Sequence, residues 1–446
     1  MTKYFWGVLL LGILGTVVTA TQPAKDPGVR GGPAGAGQPI PGLPPDQHDV
    51  LFPFLVSEFT QLHSIAGTVP EEEGNGLGPG YNALGCGTCH SQPAFGGSSP
   101  AQNPQVEQAT IDGATNVVPS FITLDGPVRE ARFVRNPDGT PDGSVHNLYS
   151  IKGRVDAPGC TLNQTNFEAQ LRANNVIFRI PTPMFGAGMI ENISEATIVA
   201  NKASNAALKQ ALGIAGHENR NGNDNTITRF GWKAQNKSLT MFSGEAYLVE
   251  MGVTNDLFQN ERVMAPGCNF NTQPEDHVIY DQSPDTGGGT SGMQHFATFG
   301  RFLAAPAPAL FGSSTAMSSV TRGKATFSAI GCNLCHTPSM ETDKSDLEAL
   351  NHKQANLYSD LLVHNMGRGL ADGVTQGAAG PSEFRTAPLW GVGQRIFFLH
   401  DGRTTDLIQA IVLHKSSGSE ASNVVNNYLG LTETQKQDLL NFLRSL

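Results

Sequence analysis

The sequence predicts a mainly α-helical protein with long loops that are rich in glycine and proline. Amphipathic helix patterns recur along the chain, and a helix followed by a pair of cysteines occurs once in each half. Glycine (51) and proline (28) together make up 79 of the 446 residues. This share indicates many loops but stays below the roughly 25–30% that is typical of disordered chains. A chain of this length has room for two or three domains.

Acidic residues outnumber basic ones. The chain has 29 lysines and arginines against 39 aspartates and glutamates, which gives a formal charge of −10 at pH 7. Binding to nucleic acid or to an anionic membrane surface requires a basic patch, which this balance does not favour. We therefore expect neither kind of partner.

The first twenty residues have the features of an export signal. Lys3 supplies a positive charge, residues 4–18 form an apolar run, and small residues occupy the expected cleavage site at 18–20. The run is shorter than the about 20 apolar residues that span a bilayer. The sequence predicts a signal peptide over residues 1–20 and a periplasmic or otherwise exported protein with no membrane span after cleavage.

The elements of the mature chain follow in order. Residues 21–48 lack periodicity and are expected to form a flexible N-terminal segment. The next helix has one apolar face, and Asp49 is placed to cap it. That face consists of Leu51, Phe54, Leu55, Phe59 and Leu62. Two more helix patterns occur at 195–212 and 238–251.

A second flexible loop is expected at 281–292, and repeated X-Pro pairs indicate an extended linker at 304–318. The chain closes with a helix over 432–446 that begins with a T-x-x-Q capping box at Thr432 and Gln435. Its apolar face consists of Leu439, Phe442, Leu443 and Leu446.

Two C-x-x-C-H motifs carry the chemistry. They are Cys86-Gly87-Thr88-Cys89-His90 and Cys332-Asn333-Leu334-Cys335-His336. This spacing suits covalent haem c, because two thiols reach the two vinyl groups and the adjacent imidazole lies under the iron. A thioredoxin-type dithiol does not need the histidine, and no further cysteine pair completes a zinc site. We expect one haem at each motif, with His90 and His336 as iron ligands.

Cys160 and Cys268 remain, and each follows a Pro-Gly pair. In an exported protein such a pair usually forms a disulfide. The alternative is two buried thiols without a role.

The second ligand of each iron decides between an electron-transfer protein and an enzyme, since only an iron with an open face binds peroxide or oxygen. For the second haem we favour His414, which shares the apolar face of a helix with Leu407 and Ile411. The competing candidates are His364, Met366 and His400.

For the first haem the sequence names no clear second ligand. Met184, Met189 and Met293 are candidates, although a methionine more often serves packing. Glu191 ends a Gly/Pro-dense run in apolar surroundings, where a desolvated carboxyl group can move protons during catalysis. The alternative is a solvated or salt-bridged Glu191.

Several stretches carry a resemblance to a known family. They are GLGP at 76–79 with Asn82, FRIPTPMFGAGMIE at 178–191, FGWKA at 230–234, YSDLL at 358–362, HNMG at 364–367, FRTAPLWG at 384–391 and LHDGR at 399–403. With them the chain resembles the di-haem c-type oxidoreductases of the peroxidase family, also labelled thiol oxidoreductases, which are related to the bacterial di-haem cytochrome c peroxidases.

This resemblance implies two cytochrome-c-like domains with one covalent haem c in each. We place an N-terminal haem domain with insertions at 49–303 and a C-terminal cytochrome-c-like domain at 319–446. One haem would be peroxidatic and the other would relay electrons. His414 stands where those peroxidases carry methionine, which favours bis-histidine coordination. Those peroxidases use a glutamine and a glutamate over the peroxidatic haem, and Glu191 falls in a comparable region.

The expected function is electron transfer between two haems coupled to reduction of a substrate, with peroxide implied by the resemblance. A small redox donor protein or a reductant would supply the electrons, and calcium between the domains is a further implication. Trp232 and Trp390 would lie between the haems or, as is more common, serve core packing. The alternatives are a pure electron-transfer cytochrome with two six-coordinate irons and a di-haem oxygenase.

Overall fold

The structure is a computed structural model that describes residues 22–31, 34–66, 76–278, 289–309 and 313–446. The predicted signal peptide and most of the predicted loop at 281–292 lie outside these residues. The described part is rich in helix, with thirteen α-helices and a few small sheets, as the mainly α prediction requires. None of the described helices is long and apolar enough to cross a membrane.

The helices are distributed over the whole described chain. They are α1 Phe52–Thr60, α2 Cys86–Cys89, α3 Gln105–Gln108, α4 Phe167–Arg172, α5 Ala187–Glu191, α6 Glu195–Ala203, α7 Ala206–Leu212, α8 Leu239–Met251, α9 Gly292–Phe302, α10 Ser314–Ala329, α11 Leu407–Leu413, α12 Ser422–Leu429 and α13 Glu433–Ser445.

The strands are only two to four residues long. They are β1 Gly80–Tyr81, β2 Glu130–Phe133, β3 Val145–His146, β4 Tyr149–Ser150, β5 Val176–Arg179, β6 Met340–Glu341, β7 Gln354–Ala355, β8 Val363–Asn365 and β9 Glu383–Arg385. All pairings are antiparallel: β3-β2-β5 form a three-stranded sheet, and β1-β4, β6-β7 and β8-β9 form two-stranded sheets.

Two groups of packed helices surround the two cysteine motifs. Around the first motif α1 and α8 pack on α9, with Phe59 and Phe299 stacked at 4.4 Å between ring centroids. Around the second motif α10 packs along α13, where Phe327 and Phe442 are buried against each other. Both contacts bury aromatic side chains, which contribute most of the hydrophobic stabilisation in such cores.

Two helix predictions are confirmed. Helix α8 begins after Ser238, whose side chain accepts the Met241 N–H. Helix α13 begins with the full capping box formed by Thr432 and Gln435. Its predicted apolar face is buried.

Two other helix predictions were only partly right. The helix expected at 195–212 is divided into α6 and α7, because Asn205 lies in the left-handed region with φ 54°. The helix expected from Leu51 begins with a π-helical turn at Gln47–Leu51, so Asp49 lies inside this turn and is not the cap. The face of α1 that is buried consists of Phe52, Leu55 and Phe59, whereas Phe54 and Leu62 are 40% and 45% exposed.

Residues 22–31, which we call the N-terminal strap, are not a free tether. Their backbone and side chains bond to α13 and to the loop before α11, so specific polar contacts order a segment that composition alone marks as flexible. Residues 304–309 belong to no helix or strand. Helix α10 begins at Ser314, within the linker predicted at 304–318.

Candidate haem sites

The first motif forms a single helical turn. Helix α2 holds both cysteines, and His90 follows at its C-terminal end. The His90 Nδ1–H donates to the Gly97 carbonyl oxygen at 3.0 Å, which leaves Nε2 as the free nitrogen. Burial lowers the pKa of His90 to about 4, so the imidazole is neutral at physiological pH. A neutral ring with its outer nitrogen fixed in this way is the usual form of a metal-binding histidine.

The four motif cysteines are not joined as disulfides. Burial raises the pKa of Cys86, Cys89 and Cys332 to about 12, so these thiols stay protonated at neutral pH. Thiol-disulfide catalysts depend on an exposed thiolate with a low pKa. The motif surroundings are thus unsuited to a thioredoxin-type dithiol and suited to thiols that add to a vinyl group.

A cavity of about 150 Å³ opens in front of the first motif. Its apolar lining includes Phe59 and Phe296, and its polar lining comes from β2, β5 and α8. The polar lining residues include Gln105, Arg129, Glu130, Arg132, Arg179, Gln235, Ser243, Glu245 and Glu250. Among the described lining residues His90 is the only histidine.

Strand pairing brings the charged groups of this cavity together. Glu130 and Arg179 lie directly opposite each other in the β2-β5 register. Because side chains alternate along a strand, Glu130 and Arg132 share the face turned to the cavity while Ala131 is buried in the core. The Arg132 Nε donates to Glu130 Oε1 at 2.5 Å.

Glu130 and Glu250 both line the cavity, and each changes the pKa of the other. Burial opposes ionisation of both groups. The charges of Arg132 and Arg179 outweigh it at Glu130 and lower the pKa of that group. At Glu250, burial and the negative charge of Glu130 raise the pKa above its ordinary value. Glu250 is therefore the member of the pair that keeps its proton to higher pH.

Glu191 lies elsewhere. It does not line the first cavity and instead accepts the Arg301 Nε at 2.7 Å and the Leu239 N–H at 2.7 Å. This geometry favours the salt-bridged alternative, in which Glu191 fastens α5 to α8 and α9. Of the three candidate methionines, Met184 lines the cavity, whereas Met189 and Met293 do not.

The second motif forms a 3₁₀ turn at Cys332–Leu334. The His336 Nδ1–H donates to the Tyr358 carbonyl oxygen at 3.0 Å, again leaving Nε2 free. Burial and the nearby His414 lower the pKa of His336 to about 4. A cavity of about 220 Å³ adjoins this motif, and its walls are mostly apolar side chains.

His414 lines the second cavity together with His336. It caps the C-terminal end of α11, and its Nδ1–H donates to the Ala410 carbonyl oxygen at 2.7 Å. The two histidines thus share the same arrangement. In each ring Nδ1–H donates to a backbone carbonyl oxygen, which leaves Nε2 free to bind a metal. This is the arrangement expected of two ligands on one iron.

The competing candidates also line this cavity. His364 is engaged on both nitrogens, by Asp360 at 2.9 Å and Glu420 at 2.8 Å. His400 stacks on Phe384 at 4.2 Å between ring centroids, and Met366 packs in the adjoining apolar cluster. His414 is therefore the candidate whose free nitrogen and surroundings fit a ligand best.

Buried arginines test whether the cavities fit a haem, which carries two propionate groups. Each cavity is lined by two arginines that have a buried N–H with no partner among the described residues. These atoms are Arg129 Nε and Arg179 Nε at the first cavity, and Arg385 Nη1 and Arg395 Nε at the second. A buried N–H without a partner is costly, and a propionate oxygen can accept a hydrogen bond from it. The residues present therefore fit the group.

Sequence reasoning did not single out these arginines or the two glutamates. Arg179 and Arg385 do fall within the FRIP and FRTAP stretches that carry the family resemblance. Glu130 and Glu250 lie 120 residues apart and outside any motif, and only the β2-α8 arrangement places them together.

Trp232 belongs to the walls of both cavities. Its Nε1–H donates to the Ile180 carbonyl oxygen at 3.0 Å, and its own carbonyl accepts the Arg385 N–H at 2.8 Å. Trp390 lines neither cavity but lies on a smaller one of about 30 Å³, which shares Trp232 with both. The indole of Trp232 therefore lies between the two sites.

Two further features concern metals and cysteines. Cys160 and Cys268 form a disulfide across 108 residues. Among the described residues the one group of three side chains close enough to hold a metal ion is Cys335, Asp360 and His364, and Cys335 belongs to the second motif. The described residues thus offer no cluster of three carboxylates for calcium.

A helix-rich fold with two C-x-x-C-H motifs, each beside its own cavity, is the arrangement expected of a di-haem oxidoreductase. The family described as "Di-haem oxidoreductase, putative peroxidase" matches residues 129–446, well over half of the chain, and the chain belongs to this family. The matched region contains the second motif, Glu130, Glu250, Trp232 and His414, and it begins after the first motif.

Among solved structures, hydrazine synthase from Kuenenia stuttgartiensis pressurised with xenon is similar to part of this chain, with 18% identity and a TM-score of 0.24 over 41% of this chain. This chain spans 59% of that chain. The comparison with curated proteins gives no match.

Proposed function

We propose that this protein is an exported di-haem c-type cytochrome oxidoreductase that reduces peroxide at the first haem site with electrons stored at the second. Its two cytochrome-c-like domains would each hold one covalent haem c, attached through Cys86 and Cys89 and through Cys332 and Cys335. The family supports the cofactor and the class of reaction. Export rests on the signal sequence alone.

The asymmetry of the two cavities carries this proposal. At the second cavity both His336 and His414 line the wall, and these two residues would hold the iron of a bound haem. At the first cavity His90 is the only histidine among the described lining residues, and the remaining wall carries Met184, two glutamates and arginines. We take Met184 as a packing residue, so the iron there would keep an open face. A haem iron with two protein ligands suits electron storage. A haem iron with one protein ligand can bind a small substrate, and a neighbouring proton donor supports the reaction of that substrate.

When bound, the haem irons supply the electrons and the site where the peroxide oxygen is held. The residues of the chain move the protons. Glu130 is the ionised partner that accepts a proton from incoming hydrogen peroxide through the shared pair, and Glu250 is the partner that returns one to the departing oxygen. Reduction of one peroxide consumes two electrons and two protons and yields two water molecules.

Arg132 and Arg179 act electrostatically at this site in two ways. Their charges keep Glu130 ionised, and they place positive potential where negative charge develops on the oxygen atoms. The Glu130 side chain is only 16% exposed, and partial removal from water strengthens these interactions.

Electrons would enter from a small redox donor protein or a reductant and pass from the second site to the first. Trp232 lies in the walls of both cavities and offers a packed route between them. A basic donor protein would be attracted by the net charge of −10. Calcium between the domains is supported by the family relation alone.

Steady-state turnover of the haem-loaded protein tests the proposal. With a reduced small cytochrome c or ascorbate and a mediator as donor, hydrogen peroxide should be consumed with two donor electrons oxidised per peroxide. Donor oxidation that requires oxygen and incorporates it into an organic substrate would instead indicate the oxygenase alternative. Absence of turnover with both oxidants would indicate a pure electron-transfer cytochrome.

A further inference from the structure

The N-terminal strap lies against the part of the protein that carries the second haem site. The Ala24 N–H donates to Glu433 Oε2 at 2.7 Å, and Lys25 exchanges two backbone hydrogen bonds with the side chain of Gln437. The Arg30 N–H donates to the Gly393 carbonyl oxygen at 2.8 Å. These contacts join the beginning of the described chain to its last helix.

Asp26 is the central side chain of this contact. Its two oxygens accept the Arg444 Nε at 2.8 Å and Nη2 at 2.7 Å, and its side chain is only 10% exposed. Burial opposes the ionisation of Asp26, but the hydrogen bonds and charge of Arg444 and the Leu407 N–H outweigh it and lower its pKa. Removal of one partner from a largely buried ion pair of this kind lowers stability strongly, because the other charge is left buried and unpaired.

The same carboxylate also bonds to helix α11. Asp26 Oδ2 accepts the N–H of Leu407, the first residue of α11, at 2.8 Å. Asp406 caps the next two amides, those of Ile408 and Gln409. Asp26 therefore satisfies an amide that the helix's own cap leaves free, and its charge lies at the positive end of the helix dipole.

Helix α11 is short, and its other end carries His414. Seven residues are too few for a helix that is stable by itself, so the position of α11 depends on tertiary contacts. Leu407, Ala410 and Ile411 line the second cavity beside His414. A contact that fixes the first turn of so short a helix also fixes the last residue, which lies about 10 Å further along at 1.5 Å per residue.

We infer that Asp26 is a positioning residue that holds α11, and through it His414, against the second haem. The inference rests on the proposed function, in which His414 ligates that iron. Arg444 completes the arrangement, because its Nη1 donates to the Arg395 carbonyl oxygen at 3.1 Å and Arg395 also lines the second cavity. The strap thus connects the first residue of α11 to Arg395, another residue of the same cavity wall.

The test is a count of the haems that bind carbon monoxide in the reduced, fully haem-loaded protein. Wild type should bind carbon monoxide at one haem per chain. Asp26→Ala should raise this number toward two and increase the high-spin ferric signal, since loosened α11 releases His414. Lys25→Ala is the matched control and should stay at one, because Lys25 makes its described hydrogen bonds through its backbone.

A second control separates positioning from general stability. Asp438→Asn breaks the ion pair with Arg322 between α10 and α13, and it should lower stability without adding a carbon monoxide site. If Asp26→Ala does not accumulate, Asp26→Asn keeps the side-chain volume but removes the charge, and it should move the signals in the same direction. An unchanged count and spin state in whichever Asp26 variant folds would overturn the inference.

The proposed function and the role of Asp26 are tested by different measurements. The number of haems that bind carbon monoxide in the wild-type protein tests the proposed function, and any number other than one contradicts it. The difference between Asp26→Ala and Lys25→Ala tests the role of the strap.

Discussion

Glu250 is a partly buried carboxyl group in the wall of the first cavity, and the proposed function makes it the proton donor there. Its partner Glu130 is held ionised by two arginines, so uptake of one proton by Glu130 together with release of one by Glu250 leaves the net charge of the pair unchanged. A glutamine in place of Glu250 keeps the shape and the hydrogen bond from Asn82 Nδ2, which is 2.9 Å long in the native protein. It cannot release a proton.

The variant Glu250→Gln should therefore lower kcat for peroxide by about 10²–10⁴-fold, the range typical of general acid-base residues, with little change in KM. The matched comparison is Glu191→Gln, whose native side chain is paired with Arg301 outside the cavity. A loss of turnover in Glu191→Gln with full activity in Glu250→Gln would return the catalytic role to Glu191.

The pH profile follows from the same pair. Because burial and Glu130 raise the pKa of Glu250, the proton is retained where a free glutamate has lost it. As pH rises through this raised pKa, the pair loses its shared proton and kcat should fall. In Glu250→Gln this fall of kcat at high pH should disappear. A fall that persists unchanged in the variant would show that another group causes it.

His414 gives the prediction for the second site. His414→Ala should convert one low-spin haem to a high-spin form in the ferric optical and EPR spectra, because it removes the second ligand of that iron. Met366→Leu is the control, since Met366 lines the same cavity and the change conserves volume. Conversion by Met366→Leu and no change in His414→Ala would assign the ligand to the methionine.

At the residue scale, sequence spacing predicts what lies within one short segment. Each C-x-x-C-H motif contains its own histidine, and His414 follows from the helical period with Leu407. Glu130, Glu250 and Arg179 come together only through the pairing of β2 with β5 and their packing on α8, and a two-to-four-residue strand leaves almost no periodic signal.

At the element scale, the contact of α10 with α13 depends on a glycine. A Cβ atom added to Gly323 would lie 2.0 Å from the carbonyl oxygen of Asp438 and 2.7 Å from Cβ of Phe442. Backbone cannot move aside as a flexible side chain can. This glycine therefore permits the close approach of the two helices that pack beside the second motif.

Gly323→Ala should lower the free energy of unfolding by about 1–3 kcal/mol, the usual cost of overpacking, although alanine favours helix more than glycine does. Ser328→Ala on an exposed part of α10 is the control and should change stability by only a few tenths of a kcal/mol. Chemical denaturation of the haem-loaded proteins measures both. Equal stability of Gly323→Ala and wild type would show that the helices separate at little cost.

The elements also show where helix prediction is reliable. Helices α8 and α13 have a capping side chain and an uninterrupted pattern, and both were predicted correctly. The break at Asn205 and the π-helical turn before α1 depend on backbone conformations that apolar periodicity does not report. The strap was missed because its order comes from Arg444 and Leu407, about 380 to 420 residues away along the chain.

At the scale of the whole molecule, Trp232 joins the two haem sites. Trp232→Phe should slow electron transfer from the second site to the first several-fold, because the smaller ring loses the hydrogen bond to Ile180 and part of the packed route. Stopped-flow oxidation of the fully reduced protein by peroxide measures this step. Trp390→Phe is the control, since Trp390 lines neither haem cavity, and equal slowing in both variants would indicate a general packing effect.

The central claim is that one molecule contains one closed and one open haem. EPR spectroscopy of the ferric, fully haem-loaded protein, combined with carbon monoxide titration of its reduced form, tests this claim most directly. The account predicts one low-spin and one high-spin haem, with carbon monoxide bound at one haem in two. Two low-spin haems that bind no added ligand in either redox state would contradict it.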